Sequence, residues 1–301
     1  MGVGRIFELT LTAPGKLYLF GEYAVLSGLP ALLTTVPLFG FYRGPLSPKG
    51  FFPLYPHARP PFLSDRRIGI LDTRSFYRGG RKLGFGSSAV YAVLKAGVSL
   101  WGHWEKRTLF QNALVIHHQE IGPTSGADIL VVLSGGVGIS SPREGTFTPL
   151  KLPEGVRIIV VEEEISADSR LWISRYREKE GSKEVRGWLK EVEVWFDRTK
   201  NAGLSLELFA EAVELYSALE KILGASLYPP RFQYLRQLAR TLGIPFKPSG
   251  AGGGDLGIFF TPAGREEELL DSLRKAGIPG WRVFPSHIGL TGSVHVPWNG
   301  T

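Results

Sequence analysis

Lys82-Leu83-Gly84-Phe85-Gly86-Ser87-Ser88-Ala89 is the stretch on which the reading of this 301-residue chain turns. After its two glycines, the spacing of Ala89, Val90, Val93, Leu94 and Val98 predicts a helix that opens at Ser87. The first turn of such a helix carries free N–H groups and partial positive charge. Glycine lets an anion come close to the backbone, and the hydroxyls of Ser87 and Ser88 can reach a phosphate or a magnesium ion riding on it. Taken alone, the run also suits a plain capped helix. The Gly-x-x-x-x-Gly-Lys-Ser/Thr spacing of a Walker loop is absent. A dinucleotide fold fits poorly, because the glycines follow a basic, turn-rich segment and not a strand.

Upstream of this stretch, residues 5 to 12 alternate as a strand does, Ala13-Pro14-Gly15 reads as a turn, and a second apolar run covers Ala31 to Tyr42. Between Gly40 and Gly80 the composition shifts, with six prolines from Pro45 to Pro61. Here Arg43, Lys49, Arg59, Arg66, Arg67, Arg74, Arg78, Arg81 and Lys82 face only Asp65 and Asp72. The segment reads as one long basic loop with room for a short hairpin. Downstream, a helix is predicted over 106 to 120, and Ile129 to Leu133 and Arg157 to Val161 read as buried strands. Helices follow over 168 to 180, 183 to 200, 205 to 223 and 230 to 242. Then come a strand at 256 to 260, a helix at 265 to 276, and strands near 281 to 284 and 288 to 296. Strands mixed with packed helices predict an α+β sandwich in each half, with a boundary near 150 to 156.

Composition narrows the function classes. A hydrophobic content of 43% supports a substantial core, and the 38 glycines and 21 prolines form no collagen-like or solenoid repeat. No apolar run reaches the roughly 18 residues of a membrane span, and the N-terminus lacks a charged-then-apolar signal pattern, so a cytoplasmic protein is expected. The absence of cysteine excludes disulfides, thiolate metal sites and thiol nucleophiles. A formal charge of +7 favours anionic partners. Neither a basic helix with interleaved aromatics nor a zinc-finger spacing is present, so the expected partners are small anionic molecules and not nucleic acid.

Two further motifs accompany the central one: Ala13-Pro14-Gly15-Lys16-Leu17-Tyr18-Leu19-Phe20-Gly21-Glu22-Tyr23-Ala24-Val25-Leu26, and Pro248-Ser249-Gly250-Ala251-Gly252-Gly253-Gly254-Asp255-Leu256-Gly257. In order and spacing the three resemble the signature motifs of the GHMP kinases. The resemblance implies a two-domain α+β fold: an N-terminal domain like ribosomal protein S5 domain 2 over 1 to 155, and a ferredoxin-like domain over 156 to 301. It implies ATP and Mg2+ as cofactors in the cleft between them. By the same resemblance Lys16 and Asp128, in Ser125-Gly126-Ala127-Asp128, are catalytic. Lys82, Gly84, Gly86, Ser87, Ser88 and Ala89 hold the nucleotide phosphates. Tyr18, Glu22, Tyr23, Ser125, Ser249, Gly250, Ala251, Gly252, Gly253 and Asp255 face the substrate, and Ser87 and Ser88 are candidate metal ligands. Glu120, at the end of the helix before Asp128, is a further candidate metal ligand that does not fall on the family pattern and also reads as a surface glutamate. His117 and His118, adjacent on a helix, point in different directions and read as structural.

Gly21-Glu22-Tyr23 resembles phosphomevalonate kinases, where mevalonate kinases usually carry histidine in place of the tyrosine. The Gly-Gly-Gly-Asp ending of the third motif and Asp72-Thr73-Arg74-Ser75-Phe76-Tyr77 point the same way. The resemblance therefore implies phosphorylation of 5-phosphomevalonate. A mevalonate kinase or other mevalonate-phosphate kinase, a decarboxylase of the same fold, and a non-catalytic metabolite-binding homologue are the alternatives. Bringing two phosphates together demands cations, which the basic segment could supply by closing over the acceptor. An acceptor phosphate, with a second pKa of about 6, needs little help from a base, so Asp128 would orient more than deprotonate. Glu162-Glu163-Glu164 departs from the family pattern, since three acids beside a phosphate site would repel it.

Overall fold

The structure, a computed structural model, describes residues 8–46, 48–54, 68–100, 104–165 and 169–295. Its first sheet grows from a long antiparallel pair, β1 (Glu8–Phe20) and β2 (Ala31–Pro45). Alternating residues of β1, among them Leu9, Leu11, Leu17 and Leu19, are buried. The Ala-Pro-Gly sequence does not turn the chain. β1 runs straight through it, with a register shift between Pro14 and Gly15. A bulge tolerates the missing N–H of proline and re-aims the residues that follow, here Lys16 and Tyr18.

Among its described residues, the segment expected as one basic loop is mostly sheet. β2 continues to Pro45, β3 (Gly50–Leu54) lies parallel to β4 (Ile68–Asp72), and β4 pairs with β2. A separate hairpin of β5 (Tyr77–Arg78) and β6 (Arg81–Lys82) leads into the glycine-rich loop. Arg59, Asp65, Arg66 and Arg67 lie outside the described residues.

Helices α1 (Ser87–Ser99), α2 (Lys106–Glu120) and α3 (Ala127–Ser134) follow, with α1 and α3 against the sheet and α2 against both of them. α3 occupies the run expected as a strand. Ile129 to Leu133 is apolar throughout and carries no periodicity of its own, and the helix buries it on every side. β7 (Val137–Ser141) then pairs with β2, and β8 (Thr146–Leu150) with β7.

The second sheet starts at β9 (Val156–Glu162). Four helices follow it: α4 (Ser169–Lys179), α5 (Lys183–Ala202), α6 (Leu206–Leu223) and α7 (Pro230–Leu242). Then come β10 (Phe246–Ser249), β11 (Leu256–Pro262), α8 (Glu266–Lys275) and β12 (Gly280–Val283). The strand order is β10-β11-β9-β12, antiparallel throughout. The chain finally returns to the first sheet, where β13 (Thr291–His295) pairs with β1. The last strand of the expected 156-to-301 unit is thus built into the other sheet.

The two layers share one core. Trp195 of α5 packs edge-on to Phe20 of β1, with ring centroids 4.6 Å apart, and Phe209 of α6 stacks on Phe260 of β11 at 4.2 Å. Among the described residues no helix is long and apolar enough to cross a membrane.

Candidate active site

The glycine-rich loop sits where the two sheets meet. Gly86 caps α1 with φ 81°, and no side chain caps the helix, so the N–H groups of its first turn are left for a ligand. A Cβ at Gly86 would lie 2.6 Å from Cε of Lys16, so the lysine side chain lies directly across the loop. The Lys16 N–H donates to the Phe85 carbonyl at 2.9 Å, pinning the bulged strand to the loop. At Gly84, with φ 85°, a Cβ would come within 2.9 Å of Cβ of Asp255. The loop is therefore held between β1 on one side and the third motif on the other.

Lys16, Lys82, Asp128 and Asp255 form one electrostatic group. Burial lowers the Lys16 pKa, and Lys82 lowers it further, while the carboxylates of Asp128, Asp255 and Glu22 oppose the shift. Lys82 keeps much of its side chain in solvent, yet the surrounding protein lowers its pKa too, against Asp255 and Asp128. Its Nζ donates to Ser88 Oγ at 2.9 Å. The Lys16 ammonium stands 4.9 Å from the centre of the Tyr18 ring. Burial, then Asp128, push the Tyr18 phenol above its usual range, against a hydrogen bond with Ser125. Asp128, in the first turn of α3, accepts from Thr124 Oγ1 at 3.3 Å and from the Ile129 N–H at 3.0 Å.

Several other residues of the motifs hold the two halves together. Glu22 is buried in an ion pair with Lys247 of β10, whose side chain is fully enclosed. Tyr23 is buried and donates to the Ala251 carbonyl. Ser249 Oγ donates to the Tyr18 carbonyl at 3.0 Å and accepts the Tyr18 N–H at 3.2 Å. Gly250, Gly252 and Gly253 all have positive φ, and Gly253 donates to the Leu227 carbonyl at 2.8 Å. Asp255 has φ 57°, the one non-glycine in that region among the described residues.

Ser87, Ser88 and Glu120 line a single cavity of about 320 Å³ with Thr73, Tyr77 and Tyr91. Glu120 already accepts from Lys95 at 2.5 Å and from the Tyr91 hydroxyl at 2.9 Å. No cluster of three or more carboxylates or histidines that could hold a metal by itself occurs among the described residues. The donor set fits a hard cation that brings most of its oxygen ligands with it on phosphate groups.

Sequence reasoning missed Lys247 and Arg143. The first had a visible signal, a lone cation within the apolar run Ile244 to Pro248. Arg143, in the turn between β7 and β8, has none. Its guanidinium lies over Gly28, 2.8 Å from where a Cβ would stand, and it makes no ion pair or hydrogen bond among the described residues. It lines a cavity of about 470 Å³ together with Ser27, Ser125 and Glu180.

No curated protein matches the chain by sequence. Residues 200–279 match the family model described as GHMP kinases C terminal. Among solved structures, a Listeria innocua protein has TM-score 0.77 at 20% identity, over 96% of this chain and 99% of its own. Streptococcus pneumoniae phosphomevalonate kinase, in complex with phosphomevalonate and AMPPNP, has TM-score 0.70 at 21% identity, over 91% and 99%. Mevalonate kinase of L. major, with R-mevalonate, has TM-score 0.65 at 18% identity, over 94% and 97%. The chain therefore carries a GHMP kinase C-terminal domain within the fold that the GHMP kinases share.

Proposed function

We propose that this protein is an ATP-dependent kinase for a small anionic acceptor, with 5-phosphomevalonate as the preferred substrate and 5-diphosphomevalonate as the product. One observation carries the reading. The Lys16 side chain spans from the glycine-rich loop at Gly86 to the Tyr18 ring, under the electrostatic influence of Asp128, so one cation serves both a donor and an acceptor phosphoryl position.

Phosphoryl transfer through a loose transition state asks the protein mainly to position reactants and stabilise charge. The first turn of α1, Lys16 and Lys82 supply positive charge around the transferring group. Ser87, Ser88 and Glu120 would hold Mg2+ on the nucleotide phosphates, where it would supply positive charge against the charge that builds up on the leaving phosphate. Asp128 keeps Lys16 oriented and charged. The cavity beside Ser125 gives room for the body of the acceptor, and Arg143 offers an unengaged cation for its far anionic end.

A second reading, mevalonate itself as acceptor, is favoured by a specific finding. The described arginines of the basic segment are already engaged: Arg43 with Glu8, Arg74 with Asp72, and Arg78 and Arg81 with Glu162. They are not free to screen an acceptor phosphate. Incubation with ATP, Mg2+ and either mevalonate or 5-phosphomevalonate, followed by phosphorus NMR, separates the two. A diphosphate doublet formed only from 5-phosphomevalonate is expected. Turnover of mevalonate alone would move the assignment to the second reading, and inactivity on both would remove both substrates.

A further inference from the structure

Three consecutive acids beside a phosphate-binding loop look misplaced in the sequence, and the fold gives them a use. Arg78 and Arg81 are direct cross-strand partners in the β5–β6 hairpin, so two like charges face the same side. Glu162, the last residue of β9 and 7% exposed, receives both. Its carboxylate lies 3.2 Å from Arg78 Nη1 and 3.1 Å from Arg81 Nη2, and Arg81 also donates to the Glu163 carbonyl. Arg78 lies over the ring of Trp281 on the neighbouring strand β12. Glu164 points elsewhere and pairs with Arg231 at 3.0 Å.

The hairpin forms a two-stranded sheet of its own and runs directly into Leu83 and Gly84. The other wall of the same loop is tied to the same place. Gly84 packs on Asp255, whose carbonyl accepts the Glu163 N–H at 2.7 Å and whose N–H donates to the Ile165 carbonyl at 3.0 Å. Both approaches to the glycine-rich loop therefore converge on Glu162 and Glu163.

We propose that Glu162 is a positioning residue: its carboxylate latches the β5–β6 hairpin to the second sheet and thereby fixes the phosphate loop for the nucleotide. This rests on the nucleotide-binding reading of the loop for its effect on affinity, but not for the latch itself. The tests are amide hydrogen exchange over residues 76 to 86, calorimetric binding of Mg-ADP, and KM values for ATP and the acceptor. Glu162→Gln is expected to speed exchange in the segment by at least about tenfold. It is also expected to weaken Mg-ADP binding by about five- to tenfold and raise KM for ATP in proportion, leaving acceptor KM within about twofold. Glu162→Asp should recover part of each effect. Should Glu162→Gln fold poorly, Arg81→Gln on the hairpin side is expected to shift the same quantities in the same direction. Unchanged exchange in folded Glu162→Gln and Arg81→Gln would overturn the latch. Faster exchange with unchanged nucleotide affinity would overturn its positioning role. Absence of Mg-ADP binding by the unmodified protein would instead remove the nucleotide reading, while the exchange comparison would still decide the latch.

Discussion

Lys16 shows how much chemistry one side chain inherits from its surroundings. Its burial disfavours the ammonium, so the pKa falls below the ordinary 10.5, and Asp128 is the strongest of the groups that hold it up. If the charged form is the working form, kcat/KM should decline at alkaline pH as the ammonium is lost, with the midpoint below 10.5. Asp128→Asn removes the main opposing charge, so the residual activity should decline at still lower pH. A limb that stays put would separate the two residues. The stability consequence has the opposite sense. The charged lysine is disfavoured in the fold, so its penalty is fully present below the lowered pKa and is relieved as pH rises towards 10.5. Lys16→Met should therefore leave the melting temperature unchanged or raised while kcat falls by at least about a hundredfold. Lys16 was legible in the sequence because it stands in a motif, whereas Arg143 stands in an ordinary turn and gains meaning only from the cavity it faces.

At the scale of elements, the N-terminus of α1 was readable and that of α3 was not. Ser87 to Val98 carries helical spacing, but Ile129 to Leu133 is apolar at every position, and only burial on all sides distinguishes helix from strand there. The Pro-Gly in β1 misled for a related reason: local turn chemistry yields to a ladder that pairs on both sides of a bulge. In the same way β3 and β4 were hidden in the sequence, since parallel pairing between them is a tertiary fact. The α1 terminus also gives a sharp test. Gly86→Ala must adopt a left-handed backbone, at a cost of about 1–2 kcal/mol. Its Cβ would also displace the flexible end of Lys16. A denaturant midpoint lowered by that amount is expected, together with a loss of kcat much larger than the stability change explains. Loss of stability alone would mean that the contact between Gly86 and Lys16 does not serve turnover.

Across the whole molecule, motifs far apart in sequence prove to be structural partners. Glu22 comes from the first and Lys247 leads into the third, and they meet in a buried ion pair whose lysine also contacts the Tyr216 ring and the Pro248 carbonyl. Nearby, Ser249 brackets the Tyr18 backbone. This joint sets β1 against β10, and with it Lys16 against Asp255. A buried pair returns little beyond the desolvation of its two charges, but removing one partner strands the other. Glu22→Gln and Lys247→Met should each lower stability by about 3–5 kcal/mol, and the double variant should lose clearly less than their sum. The pH dependence carries the same signature. Burial already lowers the Lys247 pKa and Glu22 holds it up, so in Glu22→Gln the lysine titrates lower still, and part of the lost stability should return on the alkaline side. Denaturant unfolding of the four proteins at neutral and alkaline pH measures both effects. Additive losses with no alkaline recovery would show that the contact between Glu22 and Lys247 does not couple the two halves.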